Sequence, residues 1–345
     1  MNDKMNLDST ARDARVELAH GSGGRATSRM VRQLFLRHLP SPELHQLHDG
    51  AVVPLAGPLA ISTDAFVVDP LFFPGGDIGK LSVCGTVNDV AMCGARPTSL
   101  AAAFVLEEGL TLDELESIVA SMAQTCAAAG VSIVTGDTKV VPRGKGDRVF
   151  IITTGVGQVL PGVSVGPSRI RPGDRILVSG PVGDHGTTIL ALRAGVDVGL
   201  ELRSDCAPVA AEVMALLERI PEVHALRDPT RGGLAAVLNE FAEQSGTGFV
   251  IDEAAVPVSA ATRAAADILG LDPLQMACEG RFVAVLPAER ADEALALLRS
   301  LPACAQAADI GGVVTEHPAK VTARTAIGGD RLLDVFEGEP LPRIC

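Results

Sequence analysis

Tryptophan and tyrosine are absent from this chain, and aromatic residues make up only 3% of it. Proteins that stack bases on aromatic rings need platforms this sequence does not supply. Positive charge is also short: 29 Lys and Arg stand against 42 Asp and Glu, a net charge of −13, which repels phosphate backbones and anionic bilayers. No apolar run approaches the roughly 18 residues of a membrane-spanning helix, because Pro54, Pro58, Pro70 and Pro74 interrupt the richest stretch. The opening residues, MNDKMNLDSTARDARVELAHGSGG, lack the apolar segment and small-residue cleavage site of a secretory signal. A soluble, cytoplasmic protein is expected. The seven cysteines are odd in number and contain no C-x-x-C pair, which fits neither a disulfide framework nor a zinc knuckle. Cys84, Cys93, Cys126, Cys206, Cys278 and Cys304 sit in or beside apolar or small-residue stretches and read mostly as buried hydrophobes. Cys345, the last residue, does not. His45 and His48 form an H-x-x-H with no third ligand nearby, which argues against a zinc site.

What is present points to two domains, since 345 residues exceed what one small core organises. "SRMVRQLFLRHL" has helical periodicity, "GPLAISTD" is strand-like, and "GGDIGKLSVCGTVNDVAMCGARP" carries Ile78, Leu81, Val87, Val90 and Ala91 at helical spacing. "SLAAAFVLEEG" reads as a strand, and Thr111 with Glu114 forms a capping box for a helix ended by Gly130. "VSIVTGD" and "RVFIITTGVGQV" read as strands separated by a loop, "TKVVPRGKGD". The Gly-, Pro- and Ser-rich stretch 161–173 is the expected linker. Beyond it, helices are expected near 186–194, 208–219, 232–245, 260–269 and 290–301, with strands at "RILVSG", "GFVID", "RFVAVLP" and "DIGGVV". The divisions are thus 1–42 (Gly-rich loop and helix), 43–160 (first domain), 161–173, 174–330 (α+β domain) and 331–345, whose last residues read as a mobile arm.

Carboxylates fall repeatedly where one element turns into the next: Asp64, Asp69, Asp89, Asp137 and Asp228. Such groups can converge on a hard cation such as Mg²⁺, although each alone can equally cap a helix or close a turn. Glycine-rich segments accompany them. "HGSGGR", with Gly21, Gly23 and Gly24, offers unhindered amides followed by Arg25, and "DPTRGGL" sets Arg231 and Gly232 at a helix start that favours phosphate. "FFPGGDIGKLS" is not a Walker A loop, because its glycines are misplaced before Gly79-Lys80 and Leu81 stands where Ser or Thr would hold the metal.

Taken in order, "HGSGGR", "STDAFVVDPLFFPGGDIGKLSVCGTVNDVAMCGARP", "GDTKVV", "DPTRGGL" and the terminal "PRIC" resemble the HypE family of hydrogenase maturation factors. That family lies in the ATP-binding superfamily of aminoimidazole ribonucleotide (AIR) synthetase, selenophosphate synthetase and thiamine monophosphate kinase. The resemblance covers most of the chain and implies a two-domain PurM-like fold, α/β then α+β, whose N-terminal mixed sheets form a barrel in a homodimer. It also implies an enzyme that uses ATP and Mg²⁺ to dehydrate a carbamoyl group on Cys345 to a thiocyanate. The carbamoyl donor would be the transferase HypF, and the cyanide would pass to iron on the HypC–HypD scaffold for a [NiFe] hydrogenase. By the same resemblance Asp64, Asp89 and Asp228 would bind Mg²⁺–ATP, with Asp69 and Asp137 as weaker ligands. Lys139 would stabilise phosphate, Glu279 would be the base, and Lys80 and Arg231 could reach phosphates. Two other readings stay open: a carrier whose terminal thiol only docks, and another ATP-dependent member of the superfamily.

Overall fold

The computed structural model describes residues 14–21, 25–47, 50–325, 327–335 and 343–344. Gly23, Gly24, His48 and Cys345 therefore lie outside the described residues. The first helical stretch forms as α1 (Arg25–Met30), a π-helical turn (Val31–Phe35), α2 (Leu36–His38) and α3 (Pro42–His45). Met30, Leu34, Phe35 and Leu39 are buried, as their spacing requires. Next come β1 (Leu59–Phe66), a hairpin of β2 (Phe72–Phe73) and β3 (Gly76–Asp77), α4 (Ile78–Met92), β4 (Ala95–Glu107), α5 (Leu112–Ala129), β5 (Ser132–Val141) and β6 (Val149–Val159). Four of these strands make a mixed sheet in the order β1-β6-β4-β5, in which only β4 and β5 run parallel.

Local chemistry starts both long helices. Asp77 caps α4, its Oδ1 accepting from the backbone N–H groups of Gly79 (2.7 Å) and Lys80 (3.1 Å). Thr111 and Glu114 close the capping box of α5, and Gly130 ends that helix in the left-handed region at φ 68°. Helix α4 is buried on every side, and of its residues only Lys80 and Asp89 keep partial exposure. It lies on the first sheet, against β6 and β1, and touches the second domain. The close approach depends on two glycines of β6. A Cβ on Gly157 would lie 2.5 Å from Val90 Cγ1 and 2.7 Å from the Arg96 carbonyl oxygen, and one on Gly155 would lie 2.8 Å from Thr86 Cγ2.

The second domain contains β7 (Arg175–Val178), α6 (Asp184–Ala194), α7 (Ala210–Arg219), β8 (Ala225–Arg227), α8 (Gly233–Ser245), β9 (Gly248–Asp252), α9 (Ala260–Leu269), β10 (Val283–Leu286), α10 (Ala288–Ser300), β11 (Ala308–Val314), β12 (Val321–Arg324) and β13 (Asp330–Leu332). Its seven strands run β13-β12-β9-β11-β7-β10-β8, antiparallel throughout except for β9 with β12. The α/β then α+β architecture with mixed sheets is the one expected. Three short strands, β8, β12 and β13, were not anticipated.

Strand β5 also departs from expectation: it continues to Val141, so "TKVV" is strand and not loop. Its partner is the long β4, which hydrogen-bonds it as far as Glu107 opposite Val141. The ladder carries an irregularity: Leu100 pairs with Ile133 but Ala101 pairs with Thr135, leaving Val134 as an extra residue. An extra residue reverses the face to which every later side chain points.

Gly157→Ala should destabilise the protein by about 1–3 kcal/mol, the usual cost of overpacking, because backbone as well as side chain obstructs the added methyl. Urea denaturation is the check.

Candidate active site

Three of the expected acids are drawn together where β1, α4 and the turn after β8 meet. Asp64 accepts from Thr86 Oγ1 (3.1 Å), and Thr86 in turn lies 2.6 Å from Thr153 Oγ1 across the buried face of the first sheet. Asp89 accepts from Ser62 Oγ at 2.7 Å. Burial and then the charge of Asp64 push Asp89 up to about 6, while the Ser62 hydroxyl and Arg227 pull the other way. Burial and then the charge of Asp89 push Asp228 up to about 8, with Asp64 adding a smaller push. Neighbouring negative charge makes Asp89 and Asp228 harder to ionise, the condition a bound cation relieves. No group of three His, Cys, Asp or Glu side chains among the described residues is arranged to hold a metal by itself. The oxygen donors fit Mg²⁺ all the same, since that ion takes one or two carboxylates and completes its shell with water and phosphate.

Glu279 sits just before β10 and is 2% exposed, so it is not an ordinary acid in an exposed turn. Its Oε1 has no hydrogen-bond partner among the described residues. Its pKa is raised well above the usual carboxylate range by burial first, then by Cys206, Asp228, Asp205 and Asp89. Its backbone is fixed to the segment before α7: Glu279 N–H donates to Asp205 Oδ1 (3.1 Å), and Ala207 N–H donates to the Glu279 carbonyl (3.2 Å). Asn88, one residue before Asp89 on α4, donates to the Ala207 carbonyl (3.1 Å) and accepts from Val209 N–H (2.8 Å), tying the first domain to this segment.

Lys80 belongs to the same cleft. Its Nζ donates to the Gly75 carbonyl (2.9 Å), and its charge acts on the Cys206 thiol. Gly75 is pressed on Ser204, where a Cβ would meet the Ser204 carbonyl oxygen at 2.4 Å. Gly232 and Gly233 both have left-handed φ, 78° and 61°, and turn the chain into α8 directly after Asp228, with Arg231 exposed beside them. Gly21 packs on β5 so tightly that a Cβ would lie 2.6 Å from Val140 N.

Lys139 and Asp137 are not brought to these acids within one chain. The paired rows run Asp64, Thr153, Ala102, Gly136 and then Ala65, Ile152, Ala103, Asp137. Asp64 bonds Thr86 on the helix-covered face, whereas the extra residue in β5 sends Asp137 and Lys139 to the other, open face. There both are exposed and pair at 3.4 Å. Asp69 also stands elsewhere: it is exposed, its charge acts on Arg193, and its backbone N–H donates to the Arg343 carbonyl (3.3 Å). Among the other sequence candidates, His45 bonds the Leu39 carbonyl at 3.2 Å, and Cys93 is exposed while the remaining described cysteines are buried.

Four residues around the cleft escaped sequence reasoning: His185, Ser204, Asp205 and Cys206. Asp205 is fully buried, its pKa raised chiefly by burial, and Arg281 is 3.8 Å from its Oδ2. The pKa of the Cys206 thiol is held well above its ordinary value by a hydrogen bond with the free thiol of Cys84 and by burial. Ser204, Asp205 and Cys206 lie in the run "RSDCAP", which has no periodicity or motif that would have marked them.

The two domains, α/β then α+β, with acids gathered where they meet, are those of an AIR synthase-related protein. The N-terminal domain of that family matches residues 47–159 and its C-terminal domain residues 171–324. The carbamoyl dehydratase HypE of Azotobacter vinelandii is 52% identical over 335 residues, 97% of this chain and 98% of that protein. A crystal structure of hydrogenase maturation protein HypE in complex with ATP superposes with a TM-score of 0.93 at 51% identity, covering 95% of this chain and 99% of that one. A crystal structure of a HypE–HypF complex gives 0.79 at 40% identity, covering 89% and 99%. The chain belongs to the HypE family of carbamoyl dehydratases, which act in hydrogenase maturation.

The folded-state pKa of Asp228 lies above its ordinary value near 3.8, so the protein loses stability as pH rises through about 8 and the buried carboxyl ionises. Asp228→Asn removes that loss. Without metal or nucleotide, the variant should melt a few degrees above wild type at about pH 9, by the usual scaling of stability to Tm. The difference should shrink toward pH 5, as read by calorimetry across pH.

Proposed function

We propose that the enzyme accepts a carbamoyl group on the thiol of Cys345 and dehydrates it to a thiocyanate, consuming one ATP. The carbamoyl oxygen takes the γ-phosphoryl group, the nitrogen gives up its two protons, and the oxygen departs as phosphate, leaving S–C≡N and ADP. An amide oxygen is a poor leaving group, and phosphorylation makes it a good one. Asp64, Asp89 and Asp228 would hold Mg²⁺ on the nucleotide. When bound, Mg²⁺ offsets the charge of the phosphates and orients them. Lys80, Arg231, Gly232 and the loop of Gly21, Gly23 and Gly24 are assigned to phosphate.

One observation carries the reading: a buried carboxyl, Glu279, with an oxygen that has no hydrogen-bond partner among the described residues, its pKa raised by burial first and then by neighbours that include Asp228 and Asp89. A cation held by Asp89 and Asp228 would favour the carboxylate form of Glu279. As a carboxylate, Glu279 would take protons from the carbamoyl nitrogen.

Homodimerisation through the open face of the first sheet is part of this proposal. That face presents Ile61, 66% exposed, with Leu59, Ala65, Ala103, Val105, Phe150 and Ile152 in the paired rows. A second copy covering it would form the expected barrel and place Lys139 and Asp137 at the subunit interface, where Lys139 could meet phosphate. We assign residues 161–173 as the linker between the domains of 43–160 and 174–330, and the residues after 331 as an arm that releases its end to visit partners. The partners proposed are HypF, which a relative binds in a crystal, and the HypC–HypD scaffold, in the cytoplasm. A relative crystallised with ATP supports the nucleotide.

Cys345→Ala should abolish thiocyanate formation while binding Mg²⁺–ATP within about twofold of wild type, because the nucleotide is assigned to other side chains. Glu279→Gln and Lys139→Ala should keep the carbamoyl group and slow its loss of one water by about 100-fold or more, the usual worth of a general base or charge stabiliser. Mass spectrometry of the C-terminal peptide separates these outcomes. Undiminished water loss in Glu279→Gln would remove it as the base, and no water loss in wild type would favour a carrier. Ile61→Glu should shift sedimentation from dimer toward monomer.

A further inference from the structure

The end of the chain is clasped by both domains. Arg343 Nε lies 3.1 Å from Asp147 Oδ2 in the loop between β5 and β6. The Arg343 carbonyl accepts from the Asp69 backbone N–H (3.3 Å) and from Arg193 of α6, whose Nε also donates to the Asp69 carbonyl (2.6 Å). Ile344 is 3% exposed and belongs to the main core, and its carbonyl oxygen lies 2.7 Å from His185 Nε2. His185 is fully buried on α6, its ring meeting that of Phe73 edge-on at 5.4 Å, and its Nδ1 is 2.8 Å from Ser204 Oγ.

Donor and acceptor rules fix the direction of every bond in this chain. A carbonyl oxygen only accepts, so Nε2 carries the proton. Burial holds the imidazole neutral, its pKa pushed down to about 4, so Nδ1 is bare and accepts from the Ser204 hydroxyl. The Ser204 oxygen accepts in turn from Cys206 N–H at 3.0 Å. Each polar group in the relay is used once, with no freedom to reverse. The relay ends in residues 204–207, the segment that holds Glu279 through Asp205 and Ala207.

We propose that His185, ordered by Ser204, is a positioning residue that recognises the chain end by the Ile344 carbonyl and its aliphatic side chain, and so delivers the following cysteine in one register beside Glu279. The part of this that concerns Glu279 rests on its assignment as the base; the recognition of the tail does not. Cys345 is joined to the held carbonyl by one peptide bond, so its Cα lies about 3.8 Å from that of Ile344 whatever its conformation. The recognition is of an aliphatic side chain and of backbone carbonyls that any sequence carries, which leaves the thiol free to bear its cargo.

Carboxypeptidase trimming of the intact protein, followed by whole-protein mass, tests the dock without reference to catalysis. Wild type should lose its last two residues slowly, and His185→Phe, which keeps the ring but no donor, about tenfold faster, the upper worth of one buried hydrogen bond. His185→Gln, which restores an N–H donor at the position of Nε2, should return toward wild type. Should His185→Phe fail to fold, Ile344→Ser against Ile344→Val decides: the serine variant should be trimmed faster and the valine variant as slowly as wild type. Equal trimming of wild type and His185→Phe, of the Gln and Phe variants, or of the Ser and Val variants would overturn the proposal. The same variants carrying a carbamoyl group should then show slowed water loss for Phe and recovery for Gln. Fast trimming of Phe with unchanged water loss would leave the dock standing and refute its placement beside Glu279.

Discussion

Negative charge confined at the junction of two domains is the constraint around which this structure is organised. Burial and the charge of neighbouring acids raise the pKa of Asp89 and of Asp228, and Glu279 and Asp205 lie buried beyond them with oxygen atoms that no hydrogen bond among the described residues satisfies. Leaving such groups unpaired costs stability that a fold under selection for stability alone would avoid. The cost makes sense where a cation and a polyphosphate complete the site. It also couples the parts: Asp228 and Asp89 add to the burial that raises the pKa of Glu279.

Helix α4 is the mechanical counterpart of that electrostatic arrangement. It is buried all round because it lies between the first sheet and the second domain, and the two of its residues that reach the cleft are a lysine and an acid. The glycines of β6 let it sit close enough for Asp89 to meet Asp64 of β1. Asn88 ties the same helix to residues 207–209, so both domains share the segment that bears Glu279 on one side and the His185 dock on the other.

Much of this was legible in the sequence where the signal is local. The capping box at Thr111, the glycine stops and the long helices follow from residue types at element ends, whereas Asp64, Asp89 and Asp228 were singled out from five such acids by family resemblance. Other features depend on pairing between distant segments. One extra residue at Val134 decides that Lys139 and Asp137 face away from Asp64, and nothing in "VSIVTGDTK" marks that residue as a bulge. Asp69 resembled the other acids in its setting but is held at the chain end by Arg193 and Arg343. His185 and Ser204 are defined only by what reaches them from the far end of the chain, and β8, β12 and β13 are too short for periodicity to register. Glu279 was found through family resemblance, and its burial could not have been inferred from "MACEGRF" alone.

The account stands or falls on whether the cleft acids hold protons until metal and nucleotide displace them. Calorimetry of Mg²⁺–nucleotide binding at about pH 7, repeated in buffers of different ionisation enthalpy, counts the protons exchanged on binding. The account predicts net release approaching one proton or more, from Asp228 and in part from Asp89 and Glu279, and a smaller release at about pH 9. Binding with no proton released, or with protons taken up, would contradict it.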